Sequence, residues 1–272
     1  MIHHTYLPSP ALKPFIEFYR TIELESDQYP SLSFLDYPRT AMDIVFCFDG
    51  RPVIAPQDKS PFTLSPSTFI GNFDRAYQIR FSKKIALLNI RFKANGVYPL
   101  TPLPLQELLN SHIDLGHIFS DKNLHLYEQL VTLGSAIERI TLIEQYLLPI
   151  YQSGNIHYRF DQALQYINQS RGLLSVSQLA NQLNTNYKSL DRWFQKKVGL
   201  PPKKFIQLTR FKHILAALEN HHQHDWISLA DDYGFHDQAH FIKTFKRFAG
   251  CSPTQFQQLT HQQLASYNMP SE

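Results

Sequence analysis

The sequence predicts an α+β protein of two domains. The first is a small amino-terminal β-barrel or sandwich, cupin-like and carrying helices. The second is an all-α domain of two helix-turn-helix units joined by a long helix. Three observations predict this fold class: short β-rich runs fill residues 42–92, helical periodicity begins at Pro104, and one helical pattern occurs twice after residue 175. We expect the domains at residues 1–152 and 156–262, followed by a tail at 263–272.

Composition and charge suit two globular domains, one of which attracts an anionic partner. The 272 residues are 43% hydrophobic, which is ample for two cores. The net charge is only +3, but residues 156–262 hold 13 Lys+Arg against 7 Asp+Glu, whereas residues 1–155 hold 13 against 15. The positive charge therefore lies on the half that carries the repeat, as attraction to phosphates requires.

The sequence has the pattern of a cytoplasmic protein with no membrane partner. Cys47 and Cys251 lie in different predicted domains without neighbours at metal-ligand or redox-motif spacing, so we expect two buried thiols. No apolar run approaches the roughly 18 residues of a membrane span, and the amino terminus lacks a signal-peptide pattern.

The first half begins with a short amphipathic segment at residues 12–19 and continues as a series of short strands. These strands are expected at residues 42–48, 53–55, 63–64, 68–71, 76–81 and 85–92. Asp49-Gly50 follows the first of them directly and predicts a hairpin. An apolar helical stripe from Leu126 to Leu147 either forms a dimer helix or packs on its own barrel. Pro149 and the segment around Gly154 predict the domain boundary.

The clearest signal in the chain is a repeat that relates residues 179–205 to residues 229–256. Before the turn, Leu179 and Ala180 match Leu229 and Ala230 at an offset of 50. After it, the matching pairs at an offset of 51 are Leu190 and Phe241, Phe194 and Phe245, Gly199 and Gly250, Pro202 and Pro253, and Phe205 and Phe256. The offset changes by one inside the turn, so one copy has a turn one residue longer.

Each copy predicts a short helix, a tight turn and a second helix that ends at a glycine. In the turns, Asn184 and Gly234 are residue types that adopt the left-handed conformation at low cost. Asn186 and Asp237 are expected to cap the second helices, and Ser177 the first helix of copy one. The units are placed at about 177–198 and 227–248. A connector helix is placed at about 202–220, with a buried stripe of Phe205, Leu208, Phe211, Ile214, Leu215 and Leu218.

The outward faces of the second helices carry side chains that suit nucleic acid. The second helices are predicted to bury Leu190, Trp193, Phe194 and Val198 in copy one and Phe241, Phe245 and Phe248 in copy two. Arg and Lys suit guanine, Gln suits adenine, Asp accepts from cytosine, and apolar side chains meet the thymine methyl group. Lysines and an arginine follow at the carboxyl ends, where phosphates or the helix dipole attract them. A solvated cationic face on an ordinary helical bundle is the simpler alternative, and it is less favoured because both copies show the same polarity.

Residues from about 160 to about 260 resemble the DNA-binding domain of the AraC/XylS family of bacterial transcription regulators. The second copy contains the family's signature residues Gly234, Phe235, Asp237, Gln238, Phe241, Phe245, Lys246, Gly250, Ser252, Pro253 and Phe256. The resemblance implies a sequence-specific regulator that binds double-stranded DNA, with both recognition helices in successive major grooves. It implies that Lys188, Asp191, Arg192, Gln238, Ala239, Ile242 and Lys243 face base edges. Residues expected at the DNA backbone or the flanks are Tyr187, Gln195, Lys196, Lys197, Lys203, Lys204, His240, Lys246 and Arg247. Asp191 and Asn184 depart from the family pattern. Ala239 and Ile242 make the outer face of the second recognition helix unusually apolar.

The β-then-α order of the first half resembles the sensing domains attached to many such regulators. That resemblance implies a small-molecule effector and a homodimer formed through the amino-terminal domain, and the family resemblance also implies contact with RNA polymerase. The sequence itself assigns no effector site. Arg39, Asp43, Arg80 and Arg91 either present charge inside a barrel or form surface ion pairs, and surface pairs are the more common role.

The alternative function is an enzyme domain at residues 1–150 tethered to DNA by the second domain. Against it, we find no phosphate loop and no nucleophile motif, and we expect no cofactor. The predicted strands contain none of the histidines that a metal-dependent cupin would need, namely His3, His4, His112, His117 and His125. The cluster of His221, His222 and His224 has no pattern of companion ligands, so a polar loop is the better interpretation and we expect no metal. We therefore expect a protein that is not an enzyme.

Overall fold

The computed structural model describes residues 2–25, 32–101, 103–118, 124–153, 158–220 and 226–258, and it confirms the α+β fold class. The strands are β1 Ile2–Tyr6, β2 Ile16–Glu25, β3 Leu32–Asp36, β4 Met42–Asp49, β5 Val53–Pro56, β6 Phe62–Thr63, β7 Ser67–Ile70, β8 Tyr77–Phe81, β9 Lys84–Phe92 and β10 His112–Asp114. The helices are α1 Leu124–Thr132, α2 Ala136–Ser153, α3 Tyr158–Gln169, α4 Val176–Gln182, α5 Tyr187–Val198, α6 Pro202–Asn220, α7 Trp226–Asp232, α8 Gln238–Ala249 and α9 Pro253–Gln258. The predicted cluster of His221, His222 and His224 and the predicted tail lie outside the described residues.

The amino-terminal half is a sandwich of two antiparallel sheets. The larger sheet has the strand order β1-β2-β9-β4-β7-β10, and the smaller sheet has the order β3-β8-β5-β6. Among the described strands, no pairing joins one sheet to the other, so the sheets do not close into a barrel. Apolar side chains from both sheets meet in one cluster between them, which includes Val45, Ile54, Ile70, Phe81 and Leu87. The interior of this sandwich therefore combines residues that are far apart in sequence.

The hairpin predicted at Asp49-Gly50 is wrong. Strand β4 pairs with β9 and β7, whereas β5 pairs with β8 and β6, so the chain leaves one sheet and enters the other at this point. Gly50 is suited to that change of direction because its φ is +59°, and a Cβ there would lie 2.0 Å from the carbonyl oxygen of Lys84. An Asp-Gly pair marks a turn, but it does not specify which strand follows as a partner.

Four strands lie outside the predicted set. Strands β1, β3 and β10 fall in segments for which the sequence predicts no strand, and β2 occupies much of the segment predicted as amphipathic. Because β1 contains His3 and His4 and β10 contains His112, the expectation that these histidines lie outside strands is wrong. Short edge strands with exposed polar residues give little alternation of apolar and polar residues for a sequence-based prediction to detect. Among the described residues, no group of three or more His, Cys, Asp or Glu is arranged to hold a metal ion.

Helices α1 and α2 cover the outer face of the larger sheet. The carboxylate of Glu144 on α2 accepts hydrogen bonds from the Tyr19 hydroxyl at 3.1 Å and the Ser9 amide at 2.9 Å. Leu130 on α1 and Ile143 on α2 are buried in the same core, so the apolar stripe packs on its own domain. Pro149 lies inside α2 and does not end the helix.

The carboxy-terminal half consists of helices α3 to α9. The predicted connector corresponds to α6, and its apolar stripe of Phe205, Leu208, Phe211, Ile214, Leu215 and Leu218 is buried. One continuous apolar cluster includes Ile90 and Leu105 of the first half together with Phe194 and Phe245 of the second. The two halves therefore share a core. Within the described part of the chain, no helix is both long enough and apolar enough to span a membrane.

Candidate DNA-binding surface and amino-terminal cavity

The first helix-turn-helix unit is formed by α4 and α5. Helix α4 begins with a capping box in which Ser175 and Gln178 exchange hydrogen bonds, so the predicted cap, Ser177, lies inside the helix instead. Asn184 in the turn has a φ of +46°, as predicted for a left-handed residue. The Asn186 side chain caps α5 by accepting a hydrogen bond from the Ser189 amide at 2.9 Å.

The second unit, formed by α7 and α8, has the same construction. Gly234 in its turn has a φ of +62°, and the Asp237 carboxylate caps α8 by accepting from the His240 amide at 2.6 Å. This hydrogen bond, together with the neighbouring His236, holds the pKa of Asp237 below its ordinary value. The carboxylate therefore stays ionised at the positive end of the helix dipole.

Corresponding positions of α5 and α8 face solvent. On α5, Lys188, Arg192 and Lys196 are exposed at intervals of four residues, which places them along one side of the helix. At an offset of 51 the corresponding residues of α8 are Ala239, Lys243 and Arg247, and these are also exposed. Other predicted contact residues that are exposed are Tyr187, Lys203, Gln238, His240, Ile242 and Lys246. Asp191 and Gln195 are half-buried and bind each other through a 2.6 Å hydrogen bond from the Gln195 amide.

Lys197 does not lie on the exposed face, which corrects its prediction as a phosphate contact. It is 4% exposed, and its ammonium group lies 3.2 Å from the centre of the Tyr98 ring in the amino-terminal half. Burial lowers the pKa of Lys197 to about 8, with a smaller contribution from Lys196 and an opposing one from Asp161. The sequence contains a signal of this burial, because the repeat places Lys197 at the position equivalent to Phe248, which is a fully buried core residue.

Lys204, also predicted at the DNA backbone, binds the amino-terminal half instead. Its ammonium group donates to the Asp74 carboxylate at 2.9 Å. Burial opposes ionisation of Asp74, but the hydrogen bond and charge of Lys204 outweigh it and hold the Asp74 pKa below its ordinary value. Asn110 adds a second hydrogen bond to the same carboxylate at 3.0 Å. This ion pair fixes the start of α6 to the segment between β7 and β8.

That segment, residues 71–76, contacts both helix-turn-helix units. The Asn72 amide donates a 2.7 Å hydrogen bond to the carbonyl oxygen of Val198 at the end of α5. The Ala76 amide donates a 2.9 Å hydrogen bond to the carbonyl oxygen of Phe248 near the end of α8. Residues 71–76 therefore satisfy carbonyl groups that the ends of helices leave without an intrahelical partner.

A cavity of about 140 Å³ lies between the two sheets. Its lining consists of His3, Arg20, Ile22, Phe34, Asp36, Arg39, Asp43, Val45, Pro52, Ile54, Leu64, Ile70, Tyr77, Ile79, Phe81, Leu87, Asn89 and Arg91. Pockets for small molecules in proteins are typically apolar with a few convergent polar groups, and this lining has that composition.

The polar groups of the cavity form one connected network. Arg91 donates to both carboxylate oxygens of Asp43, at 3.0 and 3.3 Å, and Arg39 pairs with Asp36. The Tyr77 hydroxyl donates to the Asp36 carboxylate at 2.7 Å. Arg39, Asp43 and Arg91 therefore face the sandwich interior, and the prediction of surface ion pairs is wrong for these three residues.

Burial opposes the charge of both the acids and the bases in the cavity, and neighbouring charges either outweigh it or add to it. It opposes the charge of Asp43, yet Arg91 and Arg39 outweigh burial and hold the Asp43 pKa below its ordinary value. Burial and the neighbouring Arg91 lower the pKa of Arg20 to about 10. Burial and Arg20 also lower the pKa of His3, so this imidazole is neutral near pH 7.

Sequence reasoning missed Arg20, Asp36, Tyr77 and Asn89 as cavity residues. A usable signal was present in β4, because a buried strand that is otherwise apolar contains Asp43. A carboxylate at such a position requires a buried cation or hydrogen-bond donors, and the NIRF segment of β9 supplies Arg91. The sequence could not show which strands β3 and β8 would face.

The sequence places four charged residues either inside a barrel or in surface ion pairs, and Arg80 is the one of these four that faces away from the cavity. It is exposed on β8, and its guanidinium group donates a 3.1 Å hydrogen bond to the Gln78 side chain. Arg80 therefore lies on the outer face of the smaller sheet, away from the cavity.

The geometry defines a protein in which a sandwich with an internal cavity is joined to a pair of helix-turn-helix units. A family model described as a helix-turn-helix domain matches residues 179–259, and a model described as a domain of unknown function (DUF6597) matches residues 4–114. An uncharacterized HTH-type transcriptional regulator from Haemophilus influenzae is 27% identical over 189 residues, which are 69% of this chain and 61% of that protein. Residues 179–259 therefore carry a helix-turn-helix domain, and the chain spans 61% of the length of the regulator that it matches.

Solved structures of two regulators show weaker likeness. ToxT from Vibrio cholerae has a TM-score of 0.48 at 8% identity, over 88% of this chain and 97% of that one. A ToxT structure described as bound to an unsaturated fatty acid has a TM-score of 0.44 at 11% identity, over 89% and 95%. The AraC-like transcriptional activator CuxR has a TM-score of 0.30 at 15% identity, over 79% and 86%. With TM-scores below 0.5, these structures define neither the fold nor the ligand of this chain.

Proposed function

We propose that the protein is a sequence-specific transcription regulator that reads two successive major grooves with α5 and α8. The observation that carries the proposal is the matched exposure of Lys188, Arg192 and Lys196 on α5 and of Lys243 and Arg247 on α8. Each helix is capped at its amino end and terminated by a left-handed glycine, so its outer face is presented by a rigid element. Rigid presentation is what direct readout of base edges requires.

The position of each side chain determines whether it is proposed to contact the bases or the DNA backbone. Lys188, Asp191 and Arg192, with Gln238, Ala239, Ile242 and Lys243, are proposed to face bases. Tyr187, Gln195, Lys196, Lys203, His240, Lys246 and Arg247 are proposed to contact the DNA backbone or the flanks. Lys197 and Lys204 are not assigned to DNA in this arrangement, because each binds the amino-terminal half.

We also propose that a small molecule bound to the amino-terminal domain controls DNA binding. The internal cavity and its network of charged groups support this role, as does the direct contact of residues 71–76 with both units. A ligand changes DNA affinity only if it interacts differently with the two conformations of the protein. A domain that touches the ends of both α5 and α8 provides a physical route for such a difference.

Two further partners rest on the family resemblance alone: RNA polymerase, and a second copy of the chain bound through the amino-terminal domain. Because most of the apolar stripe of α1 and α2 is buried against its own sheet, a dimer would use other residues, such as the exposed Val131 and Ile137. Sedimentation of the purified protein at several concentrations tests the homodimer directly.

The second candidate function is a tethered enzyme. The observation that favours it is the convergence of titratable groups in the cavity. These groups are arranged as ion pairs, and the pKa values of Asp43 and Tyr77 are shifted away from neutrality, downward and upward respectively. General acids and bases work best with a pKa near the operating pH. The network therefore suits binding of a ligand better than proton transfer to it.

Selection of bound sequences from a random DNA pool tests the main proposal. A regulator should enrich one operator with two half-sites about one helical turn apart. Arg192→Ala and Lys243→Ala should each weaken operator binding by about 1–3 kcal/mol if they read bases. Lys83→Ala removes an exposed lysine of the amino-terminal half and serves as the matched control. Failure to enrich any sequence, or equal loss in the control, would contradict the proposal.

A further inference from the structure

The outer faces of α5 and α8 carry different chemistry at two equivalent positions. The pairs that the repeat offset of 51 makes equivalent are Lys188 with Ala239 and Asp191 with Ile242. Residues three apart are neighbours on the surface of a helix, so each helix presents these two side chains as one patch. The patch is charged on α5 and apolar on α8.

The charged patch of α5 includes a hydrogen-bond acceptor of restricted orientation. The Asp191 carboxylate accepts a 2.6 Å hydrogen bond from the Gln195 amide, which limits its rotation beside the exposed Lys188. In the major groove, a carboxylate accepts from the amino group of cytosine, whereas a lysine donates to the O6 and N7 atoms of guanine. A carboxylate that faced an acceptor such as thymine O4 would be repelled, so Asp191 also rejects wrong bases. The patch of α5 therefore suits G·C pairs.

The apolar patch of α8 has neither donors nor acceptors in its side chains. Ala239 is exposed, and Ile242 is 38% exposed. The thymine methyl group is an apolar feature of the major groove, whereas an isoleucine against the polar edge of a G·C pair leaves buried groups without hydrogen bonds. Gln238, which precedes the patch, suits adenine. The patch of α8 therefore suits A·T pairs.

The side chains around the apolar patch favour DNA over an apolar protein surface as its partner. Lys243, Lys246 and Arg247 are exposed on the same helix, within five residues of Ile242. Burying these cations in an apolar interface would be costly, whereas phosphates attract them. A small apolar patch among cations thus matches a polyanion that carries methyl groups.

We propose that the operator is asymmetric, with G·C pairs under the charged patch of α5 and thymines whose methyl groups contact the apolar patch of α8. This inference rests on the proposed function and adds the base composition of each half-site. Arg192 and Lys243 are equivalent and both basic, so the half-sites share a guanine there and differ at the two patch positions. Because the half-sites differ, one chain binds the operator in a single orientation.

Deoxyuridine in place of thymidine tests the methyl contacts, because uracil lacks the methyl group and keeps every hydrogen-bonding atom of thymine. The operator enriched from the random pool is synthesised with uracil at each thymine in turn, and fluorescence anisotropy measures its affinity for the full chain. Loss of one buried methyl group should weaken binding about fourfold. We expect this loss at thymines of one half-site and no loss in the other.

Ile242→Ala identifies the side chain that contacts the methyl group. In this variant, uracil should no longer weaken binding at the thymine that Ile242 contacts. Ile2→Ala removes an exposed isoleucine from β1 and is the matched control, so it should keep the full loss. Thermal unfolding verifies that each variant is folded. A folded Ile242→Ala variant that keeps the full loss at every thymine would refute the contact.

Transfer of the apolar patch to α5 assigns the half-sites independently. The double variant Lys188→Ala/Asp191→Ile gives α5 the two side chains of the α8 patch, and neither position is buried, so we expect the variant to fold. A repeated selection should enrich A·T pairs in place of G·C pairs in one half-site and leave the uracil-sensitive half-site unchanged. A change in the uracil-sensitive half-site, or no change in either, would overturn the assignment.

The selection also separates this inference from the proposed function. An asymmetric operator with uracil-sensitive thymines in one half-site supports both. An enriched operator with two identical half-sites, or with no uracil-sensitive thymine, leaves the regulator standing and refutes the asymmetric readout. Failure to enrich any sequence contradicts the regulator itself and the readout with it.

Discussion

Gly199 has two roles that no other residue type can combine. It ends α5 with a φ of +73°, and a Cβ at this position would lie 2.4 Å from the carbonyl oxygen of Leu105 in the amino-terminal half. The left-handed conformation costs an L-residue about 1–2 kcal/mol even without such a contact. Gly199 is therefore needed both for the end of the helix and for the close approach of the two halves.

Gly199→Ala should lower the free energy of unfolding by at least about 1 kcal/mol, because the strain of the left-handed backbone adds to the clash with Leu105. Urea unfolding measures the change. Gly134→Ala is the matched control, because a Cβ at Gly134 would have no atom of the described residues within 4 Å. Equal unfolding midpoints for the two variants would contradict the close approach at Leu105.

Lys197 predicts a specific pH dependence of stability. Its pKa falls from an ordinary value of 10.5 to about 8 in the folded protein. Above 10.5 the group is neutral in both states, and below 8 it is charged in both, so its burial penalty is removed as pH rises from 8 to 10.5. Wild-type stability relative to that of Lys197→Met should therefore rise over this interval.

Urea unfolding of wild type and Lys197→Met at a series of pH values between about 7 and 10 measures this difference. Tyrosines that titrate near pH 10 affect both proteins alike and cancel in the comparison. Lys196→Met, which changes an exposed neighbour, is the control and should show a much smaller pH-dependent difference. A difference between wild type and Lys197→Met that does not vary with pH would show that the ammonium group is not buried against Tyr98 in solution.

Among the elements, the segment at residues 71–76 joins the two halves through hydrogen bonds to both helix-turn-helix units. Asn72→Ala removes the hydrogen bond to the carbonyl oxygen of Val198 and leaves that buried group unsatisfied. We expect a loss of about 1–3 kcal/mol in the free energy of unfolding. Asn181→Ala makes the same change at an exposed position of α4 and should have little effect.

Tryptophan fluorescence monitors this experiment selectively. The two tryptophans of the chain, Trp193 and Trp226, lie in α5 and α7 of the helix-turn-helix units. Circular dichroism monitors both halves together. In Asn72→Ala, the fluorescence transition should move to lower urea concentration. If it coincides with the wild-type transition, the contact at Val198 does not stabilise the units.

The elements also show how far a sequence predicts this structure. The predicted segments from 42–48 to 85–92 correspond to strands β4 to β9, and the caps at Asn186 and Asp237 are confirmed, because both depend on local residue chemistry. The partners of β4 and the cavity depend on contacts between distant strands, which local periodicity does not encode. Periodicity also does not show a neighbouring domain, so it does not predict the contacts of Lys197 and Lys204 with the amino-terminal half.

In the whole molecule, charged groups of the cavity lie one residue away in sequence from the interface between the halves. Asp36 and Tyr77 line the cavity, and their neighbours Tyr37 and Ala76 contact α9 and α8 respectively. The Tyr37 ring packs edge-on against Phe256 at 5.4 Å. A ligand that displaces Asp36 or Tyr77 would therefore shift backbone that touches α8 and α9 directly.

This arrangement predicts that binding and response can be separated by one substitution. Tyr37→Leu should leave effector binding in the cavity intact and reduce the effect of the effector on operator affinity, whereas Tyr37→Phe keeps the ring contact and should respond like the wild type. Couplings between two sites are typically about 1–3 kcal/mol, so the loss is measurable as a change of about fivefold or more. Full response in Tyr37→Leu would assign the coupling to another contact.

The shared core also has a consequence for how such a protein can evolve. A sensor attached by a linker can be exchanged for another by recombination, because few of its neighbours depend on its surface. Here the apolar cluster that includes Leu105 and Phe194 crosses the junction. A replacement sensor would have to reproduce that buried surface, so new ligand specificity is more accessible through substitutions inside the cavity than through replacement of the whole amino-terminal half.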